Sequence, residues 1–288
     1  MIVYYNPLAA NKKGLEYAEK IKELADEKIE LRDVRETSYE EILKTEGKVV
    51  LCGGDGTISR FVNSVDVIPD DREIYYFPAG TGNDFLRDIG KDGLILLNPY
   101  IKDLPTAEIK GKTYKVINGI GYGVDGYCCE QGDIQRARSD KPVNYTAIAI
   151  KGVLYDFKPA NAVIIVDGKK YEYKKVWLAP TMNGRYYGGG MCVTPNQDRL
   201  NPERKITVAI WHTAGKFKTL TRFSSIFKGE HIKYTDMFET IEGYDVEVRF
   251  DRPTPLQVDG ETISNVESYT MRSSAVSKTA EGKQPQTV

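Results

Sequence analysis

The chain has 288 residues, of which 41% are hydrophobic and 28% charged, proportions typical of a soluble globular protein with one large or two ordinary domains. Its formal net charge is −1, so no global positive field indicates a nucleic-acid partner. No apolar run approaches the roughly 20 residues of a transmembrane helix, and residues 1–5 lack the basic region and cleavage site of a signal peptide, so we predict a cytoplasmic protein.

The cysteine and histidine content argues against several classes of catalytic and metal site. The four cysteines form no Cys-x-x-Cys pair, and the only histidines are His212 and His231. This usage favours reduced, buried thiols and argues against a zinc site. The absence of a Gly-x-Ser-x-Gly segment argues against a Ser-His-Asp hydrolase.

The first third of the chain alternates strand and helix patterns. Short apolar runs predict strands, and apolar residues at helical spacing predict helices between them. In chain order the predicted elements are a strand at 2–5, a helix at 15–25, a strand at 29–34, a helix at 39–44, a strand at 49–52, a helix at 58–65, a strand at 75–77 and a helix at 84–89. This rhythm predicts a three-layer α/β domain over 1–98 with a mainly parallel sheet, whose ligands bind at the carboxyl ends of the strands.

From about residue 99 short strand patterns dominate, and helices are predicted only near 145–155 and 218–227. The predicted strands cover 114–119, 162–166, 170–173, 176–180, 206–211, 245–250 and 256–258. Asp167-Gly168, between two of them, is a strong signal for a two-residue hairpin. We therefore predict a mostly antiparallel β-sandwich domain over 99–261. Residues 262–271 could pack back onto the first domain, and the polar tail 272–288 is predicted to be disordered.

Two glycine-rich segments follow strands of the first domain. GGDGT at 53–57 comes directly after the strand at 49–52, and PAGTGND at 78–84 directly after the strand at 75–77. Glycines let backbone N–H groups approach a bulky anion, and a strand–turn–helix unit points a helix N-terminus at it. Two such turns side by side predict a polyphosphate site, and hence a nucleotide.

Within the first turn each residue type suggests a role. The N–H groups of Gly53, Gly54 and Gly56 are predicted to face phosphate oxygens. Asp55 is predicted to hold Mg²⁺, directly or through water, because Mg²⁺ takes few carboxylates and several waters. Thr57 is predicted to donate its hydroxyl to a phosphate and to cap the next helix.

With these turns in place, the chain resembles a known family, the diacylglycerol kinase catalytic domain shared with sphingosine kinases and bacterial lipid kinases. The matching pieces are NP at 6–7, GGDGT at 53–57, PAGTGND followed by FLR at 78–87, NGIGYG at 118–123 and VDGE at 258–261. They span nearly the whole chain in the family's order. The glycine turns alone would be shared with NAD kinases and phosphofructokinases, so the ordered set makes the resemblance specific.

The resemblance implies an α/β nucleotide domain and a β-sandwich, with ATP and Mg²⁺ at the cleft between them. It implies that residues of several turns line the nucleotide site: Asn6, Pro7, Thr37, Gly80, Thr81 and Asn83. The chain departs from the family at Ala9-Ala10, where a Ser-Gly pair is frequent. Direct phosphate contact by this first turn therefore stays open.

The Val-Asp-Gly-Glu segment at 258–261 has two interpretations. From the residues alone Asp259 is a turn residue, because the same Val-Asp-Gly recurs at 166–168 between two predicted strands. The resemblance implies instead that Asp259 or Glu261 accepts the proton of the substrate hydroxyl. Positioning and charge neutralisation dominate phosphoryl transfer, so a carboxylate need only orient the attacking hydroxyl.

The resemblance also implies a second metal site, in a family segment of the form Pro-x-Ala-x-x-x-Asp-Gly. The corresponding residues here are 195–203, with Asn201 in place of the aspartate and Pro202 in place of the glycine. Asn201 offers a neutral oxygen, and Asp198 and Glu203 lie close in sequence. A magnesium ligand set of Asp198, Asn201 and Glu203 therefore competes with a plain polar loop.

Two further segments have competing interpretations. GYGVDG at 121–126 fits the Gly-x-Gly-x-x-Gly pattern, but no helix is predicted after it and no βαβ unit surrounds it, so we interpret it as a turn entering the second domain. Residues 216–228 interleave basic with apolar side chains. They fit either a helix packed on the β domain or a basic surface that docks on anionic lipid.

Together these features predict an ATP- and Mg²⁺-dependent lipid kinase of phospholipid metabolism, a phosphotransferase with an alcohol acceptor. Diacylglycerol would be converted to phosphatidic acid, with transient peripheral contact at the inner membrane face. Two alternatives stay open. An NAD kinase-like enzyme is disfavoured by Asn6-Pro7 and 78–84, and a nucleotide- or lipid-binding protein with weakened catalysis is allowed by Ala9-Ala10 and Asn201. The sequence leaves the acceptor lipid and the oligomeric state open, a homodimer included.

Overall fold

The structure is a computed structural model that describes residues 1–24, 27–79, 83–138 and 143–276. The chain divides into two compact units, Met1–Leu104 and Pro105–Val288. The boundary therefore follows Leu104 rather than residue 98. The reason is that Asn98 anchors its helix to the first unit, accepting from Ile74 N–H at 2.8 Å and donating to Arg72 O at 2.7 Å.

The first unit is built on a five-stranded sheet with the order β2-β1-β3-β4-β5. Its strands are β1 (Ile2–Tyr5), β2 (Glu30–Asp33), β3 (Val49–Gly53), β4 (Ile74–Pro78) and β5 (Ile95–Leu96). Its helices are α1 (Ala9–Lys12), α2 (Gly14–Leu24), α3 (Tyr39–Lys44), α4 (Asp55–Ser64), α5 (Asp84–Ile89) and α6 (Asn98–Ile101). β1 to β4 pair in parallel and only β5 is antiparallel, so the predicted mainly parallel α/β unit is confirmed.

Local sequence explains why these elements form. All five residues of β3 are buried, as expected for a central strand of a sheet that is covered on both faces. α4 buries Ile58, Phe61 and Val62 at helical spacing. α3 begins with a reciprocal capping box, in which Ser38 and Glu41 each bond the other's backbone N–H.

The second unit has a ten-stranded sheet in which the named strand pairs are antiparallel, which confirms the predicted second fold class. Its strands are β6 (Thr106–Ile109), β7 (Lys112–Lys115), β8 (Gly119–Tyr122), β9 (Ala160–Val166), β10 (Lys169–Val176), β11 (Thr181–Met182), β14 (Ile206–Trp211), β15 (Phe238–Gly243), β16 (Asp245–Val258) and β17 (Glu261–Arg272), with a separate hairpin of β12 (Tyr186–Tyr187) and β13 (Met191–Cys192). The sheet follows the order β15-β14-β11-β8-β16-β17-β6-β7, and β9 pairs with β16 and β10.

Helical segments form a second layer of this unit. They are α7 (Val124–Arg138), α8 (Tyr145–Lys151), α9 (Lys216–Phe223), a π-helix (Gly152–Asp156) and two 3₁₀ helices (Ser224–Lys228 and Glu230–Lys233). A cluster of buried side chains lies beneath them, with Trp177, Trp211 and Met182 among its members. No helix within the described ranges has both the length and the apolar character needed to cross a bilayer.

Several predictions for the second unit were wrong. α7 begins at Val124, inside the GYGVDG segment, and continues to Arg138, where no helix was predicted, although β8 before it is antiparallel and no βαβ unit results. The predicted strand at 114–119 is split between β7 and β8, and those at 245–250 and 256–258 are one strand, β16. Residues 262–271 belong to β17 of the second unit, paired with β16 and β6. Of the predicted disordered tail, 277–288 lies outside the described residues, while 272 ends β17.

Candidate active site

Three turns of the first unit lie together at the carboxyl edge of the parallel sheet. β3 is flanked by β1 and β4, and all three run in the same direction. Backbone bonds continue this pairing beyond the strands, because Asn6 N–H donates to Cys52 O at 2.9 Å and Ala79 N–H donates to Gly53 O at 2.8 Å. The first turn, the 53–57 turn and the start of the 78–84 turn are thereby brought side by side.

Side chains connect the first turn to the glycine turn. The Asn6 Nδ2 donates to Thr57 Oγ1 at 3.2 Å, while its Oδ1 accepts from Leu8 N–H at 3.0 Å. Thr57 is buried and lies in the first turn of α4. The N-cap of α4 is Gly54 and no side chain caps it, so the predicted capping role of Thr57 was wrong.

Asp55 connects the two glycine-rich segments. Its Oδ2 accepts from the N–H groups of Asp84 and Phe85, at 2.8 and 3.2 Å, and so caps the N-terminus of α5. Burial is the main reason that the pKa of the Tyr76 phenol is well above its usual range, and the negative charge of Asp55 raises this pKa further. The carboxylate that was predicted to hold magnesium therefore also fixes the position of the second turn.

Asn83 is the N-cap of α5 and takes part in the same network. Its Oδ1 accepts from Leu86 N–H at 2.9 Å, and its Nδ2 donates to the hydroxyl of Tyr76. That hydroxyl donates to Gly53 O at 2.9 Å. Asn83 thus connects the start of α5 to the 53–57 turn through the Tyr76 hydroxyl.

The three glycines of the 53–57 turn differ in what the protein requires of them. A Cβ on Gly53 would lie 2.1 Å from Thr57 Oγ1, so packing demands glycine there. Gly54 has φ −103° and ψ −171°, which any residue can adopt, and a Cβ there would come no closer than 3.9 Å, to Ala79 O. A Cβ on Gly56 would meet no atom of the described residues within 4 Å. At Gly54 and Gly56 the bare backbone is thus available to a ligand.

The remaining predicted nucleotide residues lie in different places. Pro7 follows Asn6 in the first turn, where a Cβ on Gly14 would lie 1.8 Å from Asn6 O. Thr37 lines a concavity of about 410 Å³ together with residues of β1, β2 and α3, namely Tyr4, Arg32, Glu41 and Lys44, and with Thr45. None of those lining residues belongs to the glycine turns. Gly80 and Thr81 lie outside the described residues.

In the second unit, Asp259 is both a turn residue and a half-buried acceptor of hydrogen bonds. Asp259 and Gly260 form the two-residue turn between β16 and β17, with φ values of 48° and 91°. The carboxylate points back at the entry to β8. Its Oδ2 accepts from Ile117 N–H at 2.7 Å, and its Oδ1 from Asn118 and Gly119 N–H at 2.8 and 3.2 Å. The structure therefore bears out the turn interpretation and gives the carboxylate a defined direction as well.

The repeated Val-Asp-Gly segment provides an internal comparison. Asp167 also occupies a two-residue hairpin, with φ 50°, and its Oδ1 accepts from Tyr244 and Asp245 N–H, each at 2.9 Å. Asp167 is exposed, whereas burial raises the pKa of Asp259 against the opposing effect of its three N–H donors. The same sequence thus gives the same turn with a different electrostatic environment.

The sequence did not point to Arg199, a buried cation beside Asp259. Its guanidinium donates to Asn118 Oδ1 at 2.9 Å and to Ile117 O at 3.4 Å. Its charge is a lesser influence that lowers the pKa of Asp259. No spacing rule marks this arginine, because its partners lie about eighty positions away in the chain.

The predicted second metal loop is held by its own side chains. Asn201 Nδ2 donates to Asp198 O and Lys205 O at 2.7 and 3.0 Å, and its Oδ1 accepts from Lys205 N–H at 2.9 Å. The Asp198 Oδ1 accepts from Leu200 N–H, and Glu203 pairs with Lys205. In the described parts of the chain no three His, Cys, Asp or Glu side chains gather as metal ligands would. The loop accounts for these side chains without a metal, and the second magnesium stays a prediction.

Glu261, the second predicted catalytic residue, is the first residue of β17 and is exposed. Its backbone is paired with that of Val258 across the hairpin. The structure therefore places it two positions after the half-buried Asp259, with Gly260 between them, and exposed to solvent.

Asp125, near the start of α7, is a buried carboxylate that the sequence did not indicate. Within the described residues neither of its oxygens has a hydrogen-bond partner, although the Tyr187 hydroxyl and the Gln257 amide lie beside it. A Cβ on Gly121 would lie 1.6 Å from its Oδ2, so that glycine makes room for it. Gln257 Oε1 in turn accepts from Gly260 N–H at 2.6 Å, which connects Asp125 to the Asp259 hairpin.

Asp125 gives the protein a predicted dependence of stability on pH. Burial raises the pKa of Asp125 from 3.8 to about 6, so the folded state binds a proton more tightly than the unfolded state. The free energy of unfolding should therefore fall as pH rises from about 4 to 6 and level off above that. Asp125→Asn should raise this free energy by about 3 kcal/mol at pH 7 and reduce the slope by the part that Asp125 contributes.

Urea unfolding at a series of pH values measures this effect. Asp198→Asn is a matched control, since Asp198 is exposed and asparagine keeps the Oδ1 that bonds Leu200. A slope that is unchanged in Asp125→Asn would assign the pH dependence to another group.

Comparison with known proteins identifies both units. Residues 1–105 match the diacylglycerol kinase catalytic domain, and residues 118–276 match the YegS C-terminal NAD kinase beta sandwich-like domain. A diacylglycerol kinase of Mycobacterium tuberculosis is 28% identical over 230 residues, covering 72% of this chain and 69% of its own. A diacylglycerol kinase of Bacillus subtilis is 24% identical over 246 residues, covering 80% and 76%.

A crystal structure of a diacylglycerol kinase from Bacillus anthracis str. Sterne has the same fold. It superposes with a TM-score of 0.58 at 15% identity, covering 95% of this chain and 93% of its own. An α/β unit followed by an antiparallel β unit, each matched in order, defines a two-domain phosphotransferase that acts on an alcohol group. The chain belongs to the diacylglycerol kinase family of lipid kinases, as the motifs suggested.

Proposed function

We propose that this chain uses ATP and Mg²⁺ to phosphorylate a lipid hydroxyl, with diacylglycerol as the acceptor and phosphatidic acid as the product. The proposal that a nucleotide binds here rests on Gly54 and Gly56. Neither the backbone angles nor the described neighbours require a glycine at these two positions. They stand at the N-terminus of α4, where unpaired N–H groups and the helix dipole favour an anion. A polyphosphate explains both the glycines and their place.

The residues around this turn fit a magnesium ion that travels with the nucleotide. Mg²⁺ is held by one or two carboxylates together with waters and phosphate oxygens, so it needs no larger protein ligand set. Asp55 supplies a carboxylate within the turn, and the backbone N–H of Asp84 donates to its Oδ2 at 2.8 Å. Bound there, the ion would neutralise charge on the transferred phosphate.

Asp259 is our candidate for orienting the acceptor hydroxyl. A carboxylate has about four acceptor positions, and three backbone N–H groups occupy three of them. The remaining position can accept one further hydrogen bond, from a substrate hydroxyl. The three N–H donors fix the direction of that bond, which is the positioning that phosphoryl transfer requires. Glu261, on the exposed side of the same hairpin, would lie at the edge of this acceptor position.

One assay tests the proposal and its alternatives. The protein is incubated with γ-labelled ATP and Mg²⁺, and with diacylglycerol in detergent micelles, total lipid extract or NAD in separate reactions. We expect label in phosphatidic acid, and none when EDTA is added. Label in NADP would favour the NAD kinase-like alternative. Bound ATP with no label in any acceptor would indicate a binding protein and contradict the proposal.

A further inference from the structure

Exposed apolar side chains of the second unit are concentrated on its helical layer. Eight large apolar side chains are exposed in the described part of this unit, and all but Leu200 lie on that layer. The seven are Ile134, Tyr145, Ile150, Tyr155, Phe217, Phe227 and Ile232. Isolated exposed apolar residues are ordinary, whereas their concentration on neighbouring elements is typical of an interaction surface.

The two most exposed of these side chains are aromatic and lie on adjoining helices. Phe217 on α9 is 81% exposed, and Tyr155 on the π-helix is 74% exposed. The helices are joined where Lys216 Nζ donates to Leu154 O at 2.7 Å. The opposite face of α9 is packed inward, with Thr219 buried, so the helix is amphipathic and its apolar content is not confined to the packed face.

Positive charge accompanies these side chains. Residues 216–236 carry five basic and two acidic side chains, a local formal charge of +3 in a chain whose net charge is −1. Lys218 pairs with Asp236 and Lys233 with Glu230. In the described structure the other three basic side chains have no acidic group within salt-bridge distance: Lys216, Arg222 and Lys228.

We propose that this surface docks the protein on an anionic phospholipid bilayer. We call it the α9 face and define it by Tyr155, Lys216, Phe217, Arg222, Phe227 and Lys228. Exposed aromatic rings enter the interface between headgroups and acyl chains, and neighbouring basic groups are attracted to anionic headgroups. A symmetric contact with a second copy is disfavoured, because it would place two surfaces of charge +3 against each other. This inference rests on the proposed function in one respect, because a kinase whose acceptor is a lipid must reach that lipid in a bilayer.

Vesicle flotation tests the α9 face directly. Wild-type protein should float with phosphatidylcholine vesicles that contain phosphatidylglycerol and much less with phosphatidylcholine alone. Phe217→Ser and Lys228→Glu should each weaken binding to the anionic vesicles by about tenfold. Two matched controls should bind like wild type: Val67→Ser, at an aliphatic side chain of the first unit that is 76% exposed, and Lys169→Glu, at an exposed lysine of the β9–β10 hairpin.

Kinase assays separate this inference from the proposed function. Phe217→Ser and Lys228→Glu should retain wild-type activity on a dispersed short-chain diacylglycerol and lose activity on the same lipid class carried in anionic vesicles. Variants that float as wild type does would overturn the docking surface. The docking surface would also be overturned if wild type is a dimer that the Phe217→Ser substitution dissociates without changing vesicle binding. If wild type phosphorylates no lipid at all, the proposed function fails, and flotation still decides whether the α9 face binds a bilayer.

Discussion

Asp259→Asn should lower the rate of phosphoryl transfer by about 100- to 10,000-fold, the range lost with a general base or a positioning carboxylate. ATP binding should be nearly unchanged, because the glycine turns belong to the other unit. Asparagine keeps one acceptor oxygen but places an NH₂ group against one of the three N–H donors. A loss of stability of about 1–3 kcal/mol should therefore accompany the loss of activity. Steady-state kinetics with separate KM values for ATP and lipid, and urea unfolding, measure the two effects.

Asp167→Asn separates catalysis from hairpin structure. It changes the same residue in the same Val-Asp-Gly turn, where the carboxylate also accepts two backbone N–H groups. Because Oδ1 alone accepts both N–H groups and asparagine keeps that oxygen, we expect Asp167→Asn to lose little stability and to retain wild-type turnover. Equal losses of activity in the two variants would mean that Asp259 acts only through folding, and full turnover by Asp259→Asn would remove it from the mechanism.

Gly56→Ala should weaken ATP binding at least about tenfold while leaving the protein as stable as wild type or more so by about 0.5–1 kcal/mol. The gain in stability is expected because Gly56 lies within α4 and a Cβ there meets no described atom within 4 Å. The loss of binding is expected because the methyl group would occupy the space of a phosphate beside the bare backbone. Calorimetric titration with an ATP analogue and thermal unfolding measure the two quantities.

Gly53→Ala is the contrasting variant in the same turn. A Cβ there would overlap the Thr57 hydroxyl, so both stability and ATP binding should fall. If Gly56→Ala binds ATP as tightly as wild type, the bare backbone at 56 has no role in holding phosphate. The nucleotide would then have to lie elsewhere.

The sequence predicted the first unit well because its signals are local. Helix 39–44 carries its own capping box, strand 49–52 is a continuous apolar run, and both were confirmed within a residue. The side-by-side position of the glycine turns follows from parallel strand order alone. What the sequence could not supply is how Asp55, Asn83 and Tyr76 tie the two turns together, since those bonds connect residues up to thirty positions apart.

In the second unit the sequence predicted the antiparallel fold class, but it missed individual elements and site residues whose decisive signals are long-range. α7 contains Gly126 and Gly132, which lower helix propensity. Both are needed for packing, because a Cβ on Gly126 would lie 2.0 Å from Pro255 O and one on Gly132 would lie 2.6 Å from the Tyr145 ring. The helix is thus specified by close approach to its neighbours and not by its own pattern. Arg199 and Asp125 were missed for the same reason, because the residues that surround each of them come from distant segments of the chain.

A crystal structure with a non-hydrolysable ATP analogue and Mg²⁺ tests the central claim most directly, namely that the 53–57 turn holds the nucleotide's phosphates. We predict phosphate oxygens within hydrogen-bond distance of the backbone N–H groups of residues 54–56, with the metal beside Asp55. Phosphates bound instead in the concavity lined by Arg32, Thr37 and Lys44, with the glycine turn empty, would contradict the account.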